Sequence, residues 1–267
     1  MDSVGLLQII QELTTGTEHY RNVKNLTIAS MVIMIFDWLL TFEMEVSYIW
    51  KAPWNVMKIL YILSRYTPFV DVTILVFFES GDGLTVETCR KLYLCAAGMY
   101  YVGMGIASLI FTLRTWVVWD RDRNFGISLT VFYSVSWLII LVPFALYLRT
   151  MVYTPSPIPR LFGCIPQSPS TLFSVSFAVG VVFDTVMLLL MVIRAFISYR
   201  SGTGSDMMRL IYRDGIIYYG CVFILSFLNF FILLKLPKDY ADLLLTTERV
   251  LHSVMSCRVI LHIRQQG

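Results

Sequence analysis

Residues 33–66, IMIFDWLLTFEMEVSYIWKAPWNVMKILYILSRY, decide the fold, because they place charged side chains inside two apolar segments joined by a short turn. Asp37, Thr41 and Glu45 follow one another at intervals of four residues. At this spacing they lie on one face of a helix. The first segment is therefore predicted to be a helix with a polar stripe in an otherwise apolar surface.

The second segment carries basic residues that match this stripe. Lys58 and Arg65 are seven residues apart and share a helix face. In an antiparallel pair that turns near Pro53, facing residues have a nearly constant sum of residue numbers. Two pairs satisfy this condition, Asp37 with Arg65 and Glu45 with Lys58. We therefore predict a ladder of two ion pairs that joins the two helices, the alternative being a ligand or ion site made of the same charges.

Residues 28–70 resemble the opening signature of a fungal multi-pass membrane family that is known only as domain of unknown function 6533. The residues that carry the resemblance are Asp37, Leu39, Leu40, Thr41, Glu45, Val46, Trp50, Arg65 and Tyr66. Two later stretches are also similar to the family's pattern: Leu113-Arg114-Thr115, and Ser256-Cys257-Arg258 with Arg264. The resemblance implies a seven-helix membrane protein. It implies no activity, because the family has none to carry over.

Composition independently indicates a membrane protein. Of the 267 residues, 57% are hydrophobic and 15% are charged, whereas soluble domains contain about 25% charged residues. Apolar runs of about 20 residues, long enough to cross a bilayer, recur along the whole chain. The net charge of +3 and the scattered basic residues give no nucleic-acid-binding footprint. The expected partner of most of the surface is therefore the lipid bilayer.

The predicted fold is an all-α membrane protein with seven transmembrane helices in a single bundle. An extracytosolic segment, residues 1–24, precedes the bundle, and its residues 3–13 form either a short interfacial helix or a flexible end. The seven-helix domain spans residues 25–263, with helices at 25–49, 56–78, 92–116, 125–148, 171–196, 216–236 and 241–263. The proline-rich connection 149–170 is expected to be neither helix nor strand.

Two of these helices are expected near the centre of the bundle. The third contains Gly103 and Ala107 at a spacing that lets helices approach closely. The seventh is the least apolar and contains Glu248, Arg249 and His252, so neighbouring helices must shield it from lipid.

Charge and cysteines both favour an N-terminus outside and a cytosolic C-terminus. In that orientation the cytosolic segments contain eleven Lys and Arg residues, and the outer segments contain eight. Cys89 and Cys164 then both lie on the oxidising side, where a disulfide can form; the alternative is two free thiols. By analogy, many seven-helix receptors have such a bond. We therefore expect the plasma membrane or another membrane of the secretory pathway.

Six charged residues fall within hydrophobic depth, at a cost of about 2.5–3.5 kcal/mol for each unpaired one. Asp37 and Arg65 lie at similar depths, and Asp71 and Arg249 also lie at similar depths, so we expect two pairs. Asp184 has no obvious basic partner. It is expected to be neutral, hydrogen-bonded to His252, or lining a wet cavity.

Catalytic motifs and cofactor sites are not evident in the sequence. The three histidines show no metal-binding spacing, and the last helix has no lysine that could hold retinal. We therefore expect no enzyme, no metal and no cofactor. The leading hypothesis is a receptor-like or sensor-like protein whose cytosolic partner would contact loop 197–215 and whose ligand is unidentified. The alternative is a transporter or channel with a path past Asp71, Asp184 and His252.

Overall fold

The computed structural model describes residues 3–81, 83–155, 164–167, 172–201, 206–236 and 242–266, which are helical except for one small hairpin and the connecting turns. The elements in chain order are α1 (Ser3–Glu45), a π-helical turn (Val46–Trp50), α2 (Val56–Ser80), α3 (Val86–Val118), α4 (Arg123–Thr150), β1 (Val152–Pro155), β2 (Cys164–Gln167), α5 (Leu172–Ser201), α6 (Asp206–Lys235) and α7 (Leu245–Gln266).

Six of the described helices, α1 to α6, are long and apolar enough to cross a membrane. Large apolar side chains on their outer faces are exposed, for example Phe36, Leu138 and Phe196. An exposed apolar surface of this extent fits contact with lipid. The structure is thus a helical bundle of the multi-pass membrane type.

Helix α7 lies among its neighbours and contacts α1, α2, α3 and α6. Its polar residues are buried, including Arg249, His252, Ser253 and Ser256. Because lipid does not solvate such groups, burial by other helices is what allows this helix to be polar.

Local sequence explains where several helices begin. The side chain of Asn55 accepts a hydrogen bond from the backbone N–H of Lys58 at 2.8 Å and caps the start of α2. Asp122 caps α4 in the same way through the N–H of Phe125, at 2.9 Å. These side chains satisfy N–H groups that have no partner within the helix.

The N-terminal segment differs from the expectation. Instead of a separate segment over residues 1–24 followed by a span that starts at residue 25, α1 is one helix of 43 residues. The sequence around Gly16 contains no proline, and one glycine costs only about 1 kcal/mol relative to alanine. That cost is too small to end a long helix.

The predicted loop 197–215 is also shorter than expected. Helix α5 continues to Ser201 and α6 begins at Asp206, because this polar stretch contains no proline and its residues are compatible with a helix. Residues 202–205 of the expected partner-binding loop lie outside the described residues.

The connection after α4 contains a small antiparallel sheet, so the expectation that it holds no strand was wrong. Val152 pairs with Gln167 and Pro155 pairs with Cys164. Each strand of a two-stranded sheet has a free edge, where a proline is tolerated because its missing N–H need not take part in the ladder.

The predicted Cys89–Cys164 disulfide is present, with the two Cα atoms 5.9 Å apart. It attaches β2 to the first turn of α3. We call the end of the bundle that carries this bond the disulfide end.

Gly103 on α3 makes room for a buried arginine of α7. A Cβ atom at this position would overlap Nη2 and Cζ of Arg249 and would lie 3.0 Å from its Nε. The small residue is thus required by a side chain that crosses from α7, rather than by a close approach of two helix backbones.

Replacing Gly103 with alanine should therefore destabilise the protein by about 1–3 kcal/mol, the usual cost of overpacking a filled site. Gly98→Ala is a matched control on the same helix, because a Cβ there meets nothing within 4 Å. Thermal unfolding of the purified proteins in detergent measures the difference. Equal melting temperatures for the two variants would contradict the contact.

Candidate ligand-binding site

The first polar cluster joins α1, α2 and α7 through Asp37. Arg65 Nη1 lies 2.5 Å from Asp37 Oδ2, and its Nη2 donates to the hydroxyl of Thr41. Arg258 Nε contacts Asp37 Oδ1 at 2.6 Å. The structure thus brings Asp37 and Arg65 together, and it adds a second arginine that the sequence analysis did not identify as a partner.

Glu45 is fully buried and is surrounded by hydrogen-bond donors. Tyr66 donates to it at 2.6 Å, Trp50 at 3.1 Å and Tyr61 at 3.3 Å. Arg65 Nε lies 3.6 Å away. The carboxylate is therefore satisfied mainly by neutral donors and only in part by a charge.

The predicted pair of Glu45 and Lys58 was wrong. Lys58 Nζ instead donates to the backbone oxygens of Trp50 at 3.0 Å and Ala52 at 2.7 Å. The carbonyl groups at the end of a helix lack helical partners, and a lysine nearby can satisfy them. Lys58 therefore caps the end of the first helical segment.

Helix α7 is also fastened near this cluster by hydrogen bonds that involve no acid. The hydroxyl groups of Ser64 and Ser256 lie 2.9 Å apart, and Ser253 donates to the backbone oxygen of Ser64 at 2.6 Å. Arg264 donates to the backbone oxygen of Tyr48 at 2.7 Å. In this cluster two acids, Asp37 and Glu45, face two arginines, Arg65 and Arg258. This balance of charge supports a cluster that holds the helices together rather than one that binds a ligand or an ion.

A second cluster joins α2 and α7 closer to the disulfide end. Arg249 Nε lies 2.9 Å from Asp71 Oδ2, which is the pair expected from their depth. Arg249 Nη2 also donates to the hydroxyl of Thr67 at 2.7 Å. Here too, one acid is matched by one base.

A third cluster, on α5, α6 and α7, has two acids and no base. Ser226 Oγ lies 2.5 Å from Asp184 Oδ2 and 2.7 Å from Glu248 Oε1. Asn229 Nδ2 donates to Glu248 Oε2 at 2.5 Å. Among the described residues, no basic side chain forms an ion pair with either acid. We call Asp184, Ser226, Asn229 and Glu248 the carboxyl cluster.

Hydrogen counting limits the charge of the carboxyl cluster. The hydroxyl of Ser226 has one hydrogen and can donate it to only one carboxylate. The other short contact needs a proton on the second carboxyl group, because two unprotonated oxygen atoms would face each other without a hydrogen. In this arrangement at least one of the two acids is therefore protonated, and the pair carries at most one negative charge.

His252 was a predicted partner of Asp184, but the structure does not join them. Asp184 points at Ser226 on the neighbouring helix α6. His252 is 2% exposed, and neither of its ring nitrogens has a hydrogen-bond partner in the described part of the chain. An imidazole buried in this way leaves its polar atoms available to a ligand, since buried polar groups are normally paired.

His252 and three residues of the carboxyl cluster, Asp184, Ser226 and Glu248, line one cavity that is bounded by α3, α4, α5, α6 and α7. Ligand-binding cavities commonly combine apolar walls with a few polar groups, as this one does. The remaining walls are mostly aromatic: Tyr100, Tyr101, Trp137, Phe144, Phe177 and Phe183. Asp184 thus lines a cavity, one of the outcomes expected from the sequence.

A second cavity adjoins the first on the side of the disulfide end. Tyr100 and Phe144 line both cavities. The second cavity is bordered by the Asp71–Arg249 pair and by Asp242, which precedes α7. The two cavities together follow α7 from its first turn towards its middle.

Sequence reasoning placed Asp184 and His252 in this region but missed the residues that connect to them. Glu248 lies four residues before His252, so the two share a face of α7. Ser226 and Asn229 are three apart and share a face of α6. These spacings could have identified both polar faces, although not which helices they meet.

Asp242 lies in the turn before α7. The hydroxyl of Tyr93 donates to its Oδ2 at 3.4 Å. Burial raises the pKa of this carboxyl from 3.8 to about 6, because the charged form is the one that loses solvation.

Residues 25–70 match a family described as "Family of unknown function (DUF6533)". The matched range covers much of α1, the π-helical turn and the first part of α2. It therefore contains the α1 and α2 residues of the first polar cluster and none of the carboxyl cluster. No curated protein matches the sequence.

Asp37→Asn should destabilise the protein by about 3–5 kcal/mol, because it leaves buried Arg65 without its carboxylate. Arg258→Gln should cost at most about 1 kcal/mol, because the side chain of Arg258 is 44% exposed and Asp37 keeps its buried partner. Thermal unfolding in detergent compares the two variants. Equal losses would show that Asp37 does not act mainly through Arg65.

Asp242→Asn should change how stability depends on pH. The folded-state pKa lies above 3.8, so the native wild type binds a proton more tightly than the unfolded chain. Its stability therefore falls as pH rises from about 4 to about 6 and is constant above that. The melting temperature of the variant relative to the wild type should rise over this range. A difference that does not vary with pH would contradict the assignment.

Proposed function

We propose that this protein is a receptor-like or sensor-like membrane protein without catalytic activity, which binds a small ligand in the cavity beside Asp184, Glu248 and His252. The observation that carries the proposal is the unpartnered imidazole of His252, which faces the same cavity as two acids that lack a base. Buried polar groups left in this state suit a ligand that brings the missing hydrogen bonds.

The proposal includes seven membrane spans, with α7 as the seventh. This helix has 22 residues, which corresponds to about 33 Å at 1.5 Å per residue. A bilayer core is about 30 Å thick. Its polar residues are shielded by α1, α2, α3 and α6, which supports a span that lipid barely contacts.

The proposed orientation places the disulfide end outside the cytosol. Thr27 on α1 donates to Glu79 near the end of α2 at 3.1 Å, so the earlier part of α1 lies towards this end. Disulfides persist in oxidising compartments. This supports an outer N-terminus, a cytosolic C-terminus and a location in the plasma membrane or another membrane of the secretory pathway.

The arrangement of the helices suggests how binding would be signalled. The two acids of the cavity come from α5 and α7, with Ser226 of α6 between them, and α5 ends and α6 begins at the end of the bundle opposite the disulfide. A ligand that favours one arrangement of these helices shifts the population of that arrangement. A cytosolic partner at residues 197–215 would sense the change.

A transporter remains the second candidate, because the two adjoining cavities pass Asp71, Asp184 and His252. A transport path must also open towards the other end of the bundle. In that direction lies an apolar core that includes Phe111, Val118, Met187, Met191 and Tyr219. This packing favours a cavity that is reached from the disulfide end alone.

Cysteine labelling can test this proposal at Gly180, which lines the cavity and where an added Cβ atom would meet nothing within 4 Å. Gly180→Cys, in a background with Cys95→Ala and Cys221→Ala, should react with a membrane-impermeant thiol reagent added on the disulfide side. It should not react with reagent added on the other side. Gly220→Cys is the matched control, with equal space but outside the cavity lining.

The labelling pattern distinguishes the hypotheses. Reaction from both sides would favour the transporter and contradict the receptor-like proposal. If the cysteine reacts with reagent added on neither side, the cavity is closed to solvent and the proposed ligand site is wrong. Equal reaction at Gly220→Cys would show that labelling does not report on the cavity.

A further inference from the structure

We propose that the ligand of this cavity is a small protonated amine with an aromatic or apolar body, whose ammonium group binds between Asp184 and Glu248. This inference rests on the proposed function, since it names the ligand class of the same site. It follows from the charge of the carboxyl cluster, from its unused hydrogen-bonding capacity and from the character of the cavity walls.

Charge balance separates the carboxyl cluster from the other two. The Asp37 and Asp71 clusters each contain as many arginines as acids in contact. The carboxyl cluster has no described base in contact, and its hydrogen count leaves it at most one negative charge. An unpaired charge at this depth costs about 2.5–3.5 kcal/mol. A single positive charge from the ligand would remove that cost.

The hydrogen-bonding capacity of the cluster matches an ammonium group. Only Oδ2 of Asp184 takes part in a hydrogen bond among the described residues, so Oδ1 can accept one more. A protonated primary amine has three N–H donors and no acceptor. It can therefore donate to Asp184 and to Glu248 at once, whereas a carboxylate ligand would be repelled by the same oxygens.

Aromatic rings line the same cavity as these acids. Tyr101 packs edge-on against Trp137, with ring centroids 5.1 Å apart, and stacks on Phe144 at 5.5 Å. Ring faces attract cations through their quadrupole, and the attraction is stronger away from water. The apolar surface of these rings also favours a ligand with an aromatic or aliphatic body.

His252 supplies a second polar contact point in the cavity. It lies one helical turn after Glu248, on the same face of α7. Its neutral ring offers one donor and one acceptor. A hydroxyl, carbonyl or ring N–H group on the ligand body would satisfy it, which makes an amine with one further polar group the best fit.

Three compounds with the same indole ring test the charge requirement: tryptamine as the cation, tryptophol as the neutral analogue and indole-3-acetate as the anion. Tryptamine at about five times its Kd should raise the Tm of the purified protein in detergent by about 2–4 °C. Tryptophol and indole-3-acetate at the same concentration should raise it much less. Phenethylamine, which has a smaller ring, should act like tryptamine.

Variants of the acids show whether the effect arises at this site. Glu248→Gln and Asp184→Asn keep the side-chain shape and should each abolish the shift, with their own unliganded Tm as the reference. Using both variants guards against the case in which one fails to fold. Glu87→Gln is the matched control, because Glu87 is an exposed acid on α3 whose side chain pairs with Lys91, and it should retain the full shift.

Three outcomes would overturn the amine assignment: no shift with either amine, an equal shift with indole-3-acetate or tryptophol, or a shift that survives in both acid variants. Each can be distinguished from failure of the proposed function. If Gly180→Cys reacts from the disulfide side while neither amine changes the Tm, the cavity is accessible and only the ligand class is wrong.

Discussion

The structure depends on the neutralisation of charges that α7 brings into the apolar bundle. Arg249 meets Asp71 of α2, and Arg258 meets Asp37 of α1. In the fully buried Arg249–Asp71 pair, removing one partner leaves a buried charge that costs several kcal/mol. Pairs of this kind fix the rotation and height of α7 against α1 and α2 more strictly than apolar packing does, because apolar contacts are not directional.

The opposite face of α7 is held by hydrogen bonds rather than by ion pairs. Towards α6 it uses hydrogen bonds from Ser226 and Asn229 to Glu248, with no base and with a cavity alongside. One side of the helix is therefore attached by ion pairs, and the other side by groups that a ligand could join or rearrange. This asymmetry fits the proposed receptor-like function, in which α1, α2 and α7 would form a frame against which α5 and α6 respond to a ligand.

How much the sequence could predict depended on the kind of partner. Two ion pairs were predictable, Asp37 with Arg65 and Asp71 with Arg249. Opposite charges at equal depth in a membrane have few other partners, because lipid does not solvate them. The prediction that Glu45 pairs with Lys58 failed because both side chains bind neutral partners, such as the hydroxyl of Tyr66 and the carbonyl of Ala52. Neutral partners leave no charge pattern in a sequence. The contact of Ser226 with Asp184 was missed for the same reason, and because the loop predicted at 197–215 was too long to fix the register of α5 against α6, although the two helices are in fact separated by only four residues.

A purely structural origin for the carboxyl cluster is hard to reconcile with its energetics. Neutral side chains of similar shape at Asp184 and Glu248 could bond Ser226 and Asn229 without bringing a charge into the membrane. Buried ionisable groups tend to reduce stability when apolar or neutral groups could replace them. Asp71 does not raise this difficulty, since it neutralises an arginine. Asp184 and Glu248 neutralise no described residue, and the cavity beside them leaves room for a cation that they could neutralise.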